Sequence, residues 1–214
     1  MKFAIILSGC GVYDGAEIHE STMTMLAISR NGGSYTIFAP DVKQHHVVNH
    51  LTGEEMDESR NVLVEAARIA RGNIHSLDKY DYNDFDALIL PGGFGVAKNL
   101  STYAFDGPDC KVDKVVEKII RDTHAAGKPI GALCISPVLI AKILGEVDVT
   151  IGGDEATASH IEALGAVHIP AGKREIVIDT KNRIVTSPCY MLDASIADIA
   201  EGAENVVKAI MVMK

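Results

Sequence analysis

The chain has little cysteine, no run of basic residues and no long apolar stretch, and each shortage removes a class of protein. Four cysteines stand in 214 residues, at positions 10, 110, 134 and 189, with no close pair and no Cys-x-x-Cys spacing. Neither a disulfide framework nor a cysteine-built zinc site follows from that pattern, and a reducing compartment, the cytoplasm, is the setting it implies. The 20 Lys and Arg residues are dispersed among 29 Asp and Glu, for a formal net charge of −9. Such a balance repels polyanions, so neither nucleic acid nor an anionic membrane surface is an expected partner. The longest apolar stretches are about ten residues, too short to span a bilayer. The start, Met1-Lys2-Phe3-Ala4-Ile5-Ile6-Leu7, runs straight into Ser8-Gly9 and lacks the longer apolar region and small-residue cleavage site of a secretory signal. The seven prolines are scattered singly, and no repeat or low-complexity tract breaks the composition. What remains is 47% hydrophobic residues, enough for one α/β domain over residues 1–214.

Short apolar runs at 3–7, 35–39, 87–90, 129–133, 150–152 and 184–187 read as strands. Helical patterns lie between and after them, at 17–31, 59–71, 111–126, 136–144, 156–164 and 195–212. This alternation predicts a doubly wound, mostly parallel sheet with helices on both faces. Residues 176–179 and 184–186, joined by 180–183, read instead as a hairpin near a sheet edge. The segment 41–75 exceeds a simple β-α connection and reads as an insertion, a lid over the crevice or a dimer contact. Its His45, His46, His50, Glu54 and Glu55 fit no metal-ligand spacing, and no metal is expected.

Ligands of such sheets gather past the carboxyl ends of the strands. The residues there are Ser8-Gly9-Cys10-Gly11, Asp41, Pro91-Gly92-Gly93, Cys134 and Pro188-Cys189-Tyr190. Cys134 is the most telling, because the strand ending at Leu133 meets the helix beginning near Ile135 with no room for a loop. The turn must be sharp, as in a nucleophile elbow. Small Gly131 and Ala132 let neighbouring backbone pass close, and the helix N-terminus favours thiolate over thiol. The plainer reading is a buried cysteine packed as a small hydrophobe.

Gly9, Gly11 and Gly15, with Asp41 as a ribose-binding acid, approximate a dinucleotide fingerprint. Their spacing departs by one residue, and Asp14 and Glu17 crowd the helix start where a pyrophosphate would sit. No cofactor is expected. Glu17 and Glu20 share one face near a helix N-terminus. They read either as complements to the helix dipole or as a carboxylate beside Cys134 that exchanges protons with it. His19, between them, faces elsewhere. Pro91-Gly92-Gly93 reads as a tight turn or as half of an oxyanion hole, the N–H of Ile135 supplying the other donor.

Three segments carry a family resemblance: Gly15-Ala16-Glu17-Ile18-His19-Glu20, Pro91-Gly92-Gly93 and Ala132-Leu133-Cys134-Ile135-Ser136-Pro137. Together they resemble the PfpI-like superfamily of class I glutamine amidotransferase-like proteins. Longer strings, among them Ile6-Leu7-Ser8-Gly9-Cys10-Gly11-Val12-Tyr13-Asp14-Gly15 and Pro91-Gly92-Gly93-Phe94-Gly95-Val96-Ala97-Lys98-Asn99-Leu100-Ser101, are similar to its ElbB-type branch, first named for enhanced lycopene biosynthesis. The resemblance implies a flavodoxin-like fold, often a homodimer, and the cofactor-independent glyoxalase activity of relatives, which turns a small aldehyde substrate such as glyoxal or methylglyoxal into the hydroxy acid. In family terms Cys134 is the nucleophile, Glu20 its carboxylate partner, and the Gly93 and Ile135 N–H groups hold the oxyanion. Many relatives carry a histidine beside the cysteine, where this chain has Ile135. His160 and His168 match no family ligand, so glutaminase and peptidase activity are not expected. A non-enzymatic redox sensor, with Cys134 oxidised beside Glu20, is the alternative.

Overall fold

Side chains of the first strand alternate between two dry environments. β1 (Lys2–Ile6) sends Ala4 and Ile6 into one buried cluster and Phe3 and Ile5 into another, with Leu7 just past its end joining the second. This is the period-two pattern of a strand buried on both faces. In the computed structural model, which describes residues 1–213, α1 (Ile18–Arg30), β2 (Ser34–Ala39), α2 (Val62–Ile69), β3 (His75–Ser76) and β4 (Ala87–Leu90) follow. Next come α3 (Phe94–Lys98), α4 (Tyr103–Asp106), α5 (Lys114–Ala125), β5 (Ile130–Leu133), α6 (Pro137–Leu144), β6 (Asp148–Val149) and α7 (Glu155–Ala163). The chain continues with β7 (Val167–His168), β8 (Val177–Asp179), β9 (Ile184–Ser187) and α8 (Ile196–Val212). Among the described residues no helix is long and apolar enough to cross a membrane.

Seven strands form one sheet in the order β3-β2-β1-β4-β5-β9-β8, parallel throughout except for β8, which returns antiparallel at the edge as the predicted hairpin. One face packs under α5 and α6 through Val116, Ile120, Leu139 and Ile140; the other packs under α1 and α8 through Ile28, Val206 and Ile210. Each such aliphatic side chain taken from water stabilises the fold by about 2 kcal/mol. This is the flavodoxin-like, doubly wound α/β arrangement that the element order predicted. Gly131 serves α8 rather than a neighbouring backbone: a Cβ there would stand 2.8 Å from Cδ1 of Ile210. The strand order reverses between β1 and β4, so their carboxyl ends, with that of β5 beside them, open the crevice where such folds bind ligands.

Several predicted elements end elsewhere, for identifiable reasons. The strand expected at 150–152 does not join the main sheet; β6 lies just before it and pairs with β7 in a separate two-stranded sheet. Threonine hydroxyls take the backbone there, the Thr150 N–H donating to Thr186 Oγ1 and the Gly152 N–H to Thr150 Oγ1. Helices α2 and α5 start three residues later than periodicity alone suggests, because Asn61 and Asp113 cap them with their side chains. Residues 41–61 are irregular and bind the loop after β1 from outside: the Val48 N–H donates to Asp14 Oδ2 at 2.7 Å. None of residues 41–75 lines the cavity at Cys134, and the bond to Asp14 makes this segment a brace for the loop after β1.

Candidate active site

Cys134 has φ +59°, a left-handed conformation that a side-chain-bearing residue adopts only when its surroundings impose it. Three ties impose it. The Cys134 N–H extends the sheet ladder to the Ser187 carbonyl at 2.9 Å, the Ser136 N–H closes the turn on the Leu133 carbonyl, and Ser136 Oγ donates to the Pro91 carbonyl at 2.8 Å. The sharp elbow predicted from the missing loop is therefore present. It places the sulfur at the wall of a cavity of about 290 Å³ lined by Val12, Phe94, Ile135, Tyr190 and Met191, with Asp154 and Thr157 among its polar groups.

Glu20 reaches the same sulfur from α1. It is fully buried; its Oε2 accepts the Gly92 N–H at 2.9 Å, its Oε1 accepts the Tyr190 N–H at 3.4 Å, and the Cys134 thiol is its third partner. Burial, with the charge of Glu17 adding to it, pushes the Glu20 carboxyl up to about 8 against the pull of those three donors. At neutral pH Glu20 is an acid with a proton to give. Glu17 is separated from this role by one step of geometry. It is the extended N-cap of α1 rather than a first-turn residue, and its Oε2 accepts the Glu20 N–H at 2.6 Å.

Gly93 and Ile135, whose N–H groups are expected to hold an oxyanion, line the same cavity as Cys134. They draw the thiol toward ionisation, but burial is the larger effect, and with the nearby Glu20 charge it holds Cys134 well above the ordinary thiol range. The sequence expectation of a thiolate at a helix N-terminus is corrected here: desolvation outweighs the two N–H groups, and the resting pair carries both protons. Gly92 makes the pair possible. A Cβ there would lie 2.5 Å from that of Cys134 and 2.8 Å from Glu20 Oε2. Gly93 turns the chain away with φ +99°.

The other predicted groups fall outside. Within the Gly9–Gly15 loop the Gly11 N–H goes to the Ala16 carbonyl, the Gly15 N–H to the Gly11 carbonyl and the Tyr13 N–H to Nε2 of His50, and Asp41 accepts from the Asn61 amide. His160, spaced as His160-Ile161-Glu162 on α7, bonds the Tyr103 hydroxyl at 2.9 Å, and His168 accepts from the Ile151 N–H at 3.4 Å; neither lines the cavity. His19 does lie off the Glu20 face, yet its Nδ1 is 2.8 Å from the hydroxyl of Tyr190 on the cavity wall. Sequence reasoning placed Tyr190 past a strand end but gave it no task. Its position follows from Cys189, which is buried with φ +44° and swings the following residue toward Glu20.

The chain is similar to known proteins in sequence and in fold. The DJ-1/PfpI family model matches residues 10–188. The human protein named Glutamine amidotransferase-like class 1 domain-containing protein 3, mitochondrial (Homo sapiens) is 48% identical, over 98% of this chain and 82% of its own length. The mitochondrial setting in that name belongs to the relative and differs from the cytoplasm read from cysteine usage. The crystal structure of an isoprenoid biosynthesis protein with an amidotransferase-like domain from Ehrlichia chaffeensis superposes with a TM-score of 0.92 at 36% identity, over 99% of each chain. A glyoxalase III from Candida albicans shares the fold, with a TM-score of 0.59 at 17% identity over 98% of this chain and 97% of that one.

Proposed function

Because this chain belongs to the DJ-1/PfpI family, we propose that it is a cofactor-independent, glyoxalase-like enzyme in which Cys134 attacks a small 2-oxoaldehyde and Glu20 moves the protons. The observation that carries this reading is the neutral, fully buried Glu20 against a strained cysteine on a cavity wall. A neutral carboxyl can take a proton on one oxygen while giving its own from the other. As the sulfur bonds the aldehyde carbon, the thiol proton passes to Glu20 and the Glu20 proton passes to the aldehyde oxygen, giving a hemithioacetal. The same exchange then takes the proton from that carbon and protonates the neighbouring carbonyl oxygen, giving an enediol. Return of a proton to the second carbon, with loss of the hydroxyl proton on the sulfur-bearing carbon, leaves the thioester of the hydroxy acid. Water then cleaves the carbon–sulfur bond, so the net change is addition of one water to the dicarbonyl. On this reading the Gly93 and Ile135 N–H groups hold the oxygen that develops charge.

The test is acid production from glyoxal by wild type, Cys134→Ala and Glu20→Gln. The expected result is turnover by wild type and its loss in Cys134→Ala. Wild-type turnover no faster than that of Cys134→Ala would sink the reading.

A further inference from the structure

The thioester of the proposed reaction needs a base for the water that cleaves it, and Glu20 cannot also be that base. It is fully buried and is the local source of a proton for the departing sulfur, so in this step it gives a proton rather than takes one. No histidine lines the cavity among the described residues. One histidine nevertheless touches its wall through another side chain. The Tyr190 ring is half-buried on that wall, and its hydroxyl is 2.8 Å from Nδ1 of His19, which is exposed to solvent. A second observation points to the same residue. Cys189, buried and directly before Tyr190, is held at φ +44°. Of the four side-chain-bearing residues with positive φ among the described residues, Cys134 lines this cavity and Cys189 directly precedes its Tyr190. Backbone strain of this kind persists only where the fold fixes it, and functional sites are where it collects.

We propose that Tyr190 and His19 form a proton relay that activates the water attacking the Cys134 thioester. The proposal rests on the nucleophile assigned under the proposed function. With the Tyr190 O–H donating to His19 Nδ1, the phenol oxygen keeps a lone pair for a water in the cavity. As the water oxygen bonds the thioester carbon, the water proton passes to the phenol oxygen and the phenol proton passes to His19. The carbon–sulfur bond breaks, Cys134 takes its proton back from Glu20, and Glu20 is reprotonated as His19 releases its proton to solvent. Atoms and charge balance as thioester plus water giving acid plus thiol. Tyr190 is the catalytic residue here, and His19 is the proton acceptor behind it.

The test needs no knowledge of the natural substrate. Full-length protein is acetylated with p-nitrophenyl acetate, and the acetyl group on Cys134 is followed by mass spectrometry in wild type, Tyr190→Phe and His19→Ala. Both variants keep the backbone N–H that serves Glu20, and circular dichroism checks their folding. The relay predicts that deacylation slows by about a hundredfold and by more than acylation does, so acetyl-Cys134 accumulates in both variants. Added imidazole restores deacylation in His19→Ala and leaves Tyr190→Phe slow, which a merely structural role would not produce. Equal deacylation in all three proteins overturns the relay and leaves Cys134 as nucleophile. Wild type that takes no acetyl group on Cys134 overturns the nucleophile and the relay together.

Discussion

Glu20 and Asp198 each stand three residues after the N-cap of a long helix, Glu17 in α1 and Ser195 in α8, and the two helices pack against the same sheet face. Both carboxyls are buried. At Asp198 the capping box closes: the Ser195 side chain accepts the Asp198 N–H while Asp198 Oδ2 accepts the Ser195 N–H at 2.7 Å. Lys173 at 3.1 Å and Arg174 at 2.5 Å complete its shell. These donors, the Ser195 N–H first, hold Asp198 well below the usual carboxylate range. At Glu20 the box stays half open. Glu17 accepts the Glu20 N–H, but the Glu17 N–H goes to the Gly92 carbonyl and the Glu20 side chain leaves its helix for Gly92, Tyr190 and Cys134. No cationic side chain pairs with it among the described residues, and its nearest charge is another carboxylate. The same helix position thus gives a structural anion when cations and a closed cap surround it. It gives a stored proton when neither does.

Glu20→Gln breaks the comparison most severely. The amide keeps the shape and an acceptor for the Gly92 N–H but cannot exchange a proton, so glyoxal turnover falls by about 10²–10⁴-fold. The same substitution carries a stability signature. A carboxyl raised in the folded state binds its proton more tightly there than in the unfolded chain, so wild-type stability falls as pH rises from the ordinary carboxylate range through about 8. Glu20→Gln lacks this loss. Its advantage over wild type therefore grows by about 1.4 kcal/mol per pH unit across that window, as urea unfolding at several pH values would read. Parallel stability curves for the two proteins would mean that Glu20 is not held neutral.

Asp198→Asn attacks the opposite partner. It opens the α8 capping box and strips Lys173 and Arg174 of their anion, so the melting temperature drops by several degrees, while activity per folded molecule stays near wild type. A large loss of turnover with unchanged melting would erase the division between anchor and proton store.

The sheet was legible because its inner strands are buried on both faces, which leaves runs such as Ala87–Leu90 with no polar residue to misread. Cys134, Glu20, Gly93 and Ile135 drew the sequence reading because each sits at a boundary between elements; in the structure Cys134, Gly93 and Ile135 line one cavity and Glu20 accepts the neighbouring Gly92 N–H. What failed depended on side chains finding distant partners. The stretch 150–152 looks like a strand until Thr186 takes its N–H, and the ends of α2 and α5 depend on which polar residue turns inward as a cap. The protonation of Cys134 could not be read from a helix N-terminus, because desolvation is a property of the closed site. The His19–Tyr190 contact joins residues 171 positions apart through a strained Cys189, and no local spacing encodes it.

Glu17→Gln is the mildest change and bears on the cause of the difference. The new amide oxygen can still accept the Glu20 N–H, so the start of α1 survives, but the charge that adds to burial in raising Glu20 is gone. The Glu20 carboxyl then ionises at lower pH than in wild type. Since turnover needs the protonated form, wild-type activity declines as pH rises through about 8, and in Glu17→Gln that alkaline limb moves toward neutrality. Activity on the acidic side, where Glu20 is neutral in both proteins, changes little. A pH–rate profile for glyoxal conversion reads the shift directly. An alkaline limb that stays in place would assign the stored proton to burial alone. A limb that moves to higher pH would mean that Glu17 stabilises the Glu20 anion through its hold on the helix start, the reverse of the electrostatics argued from the two helices.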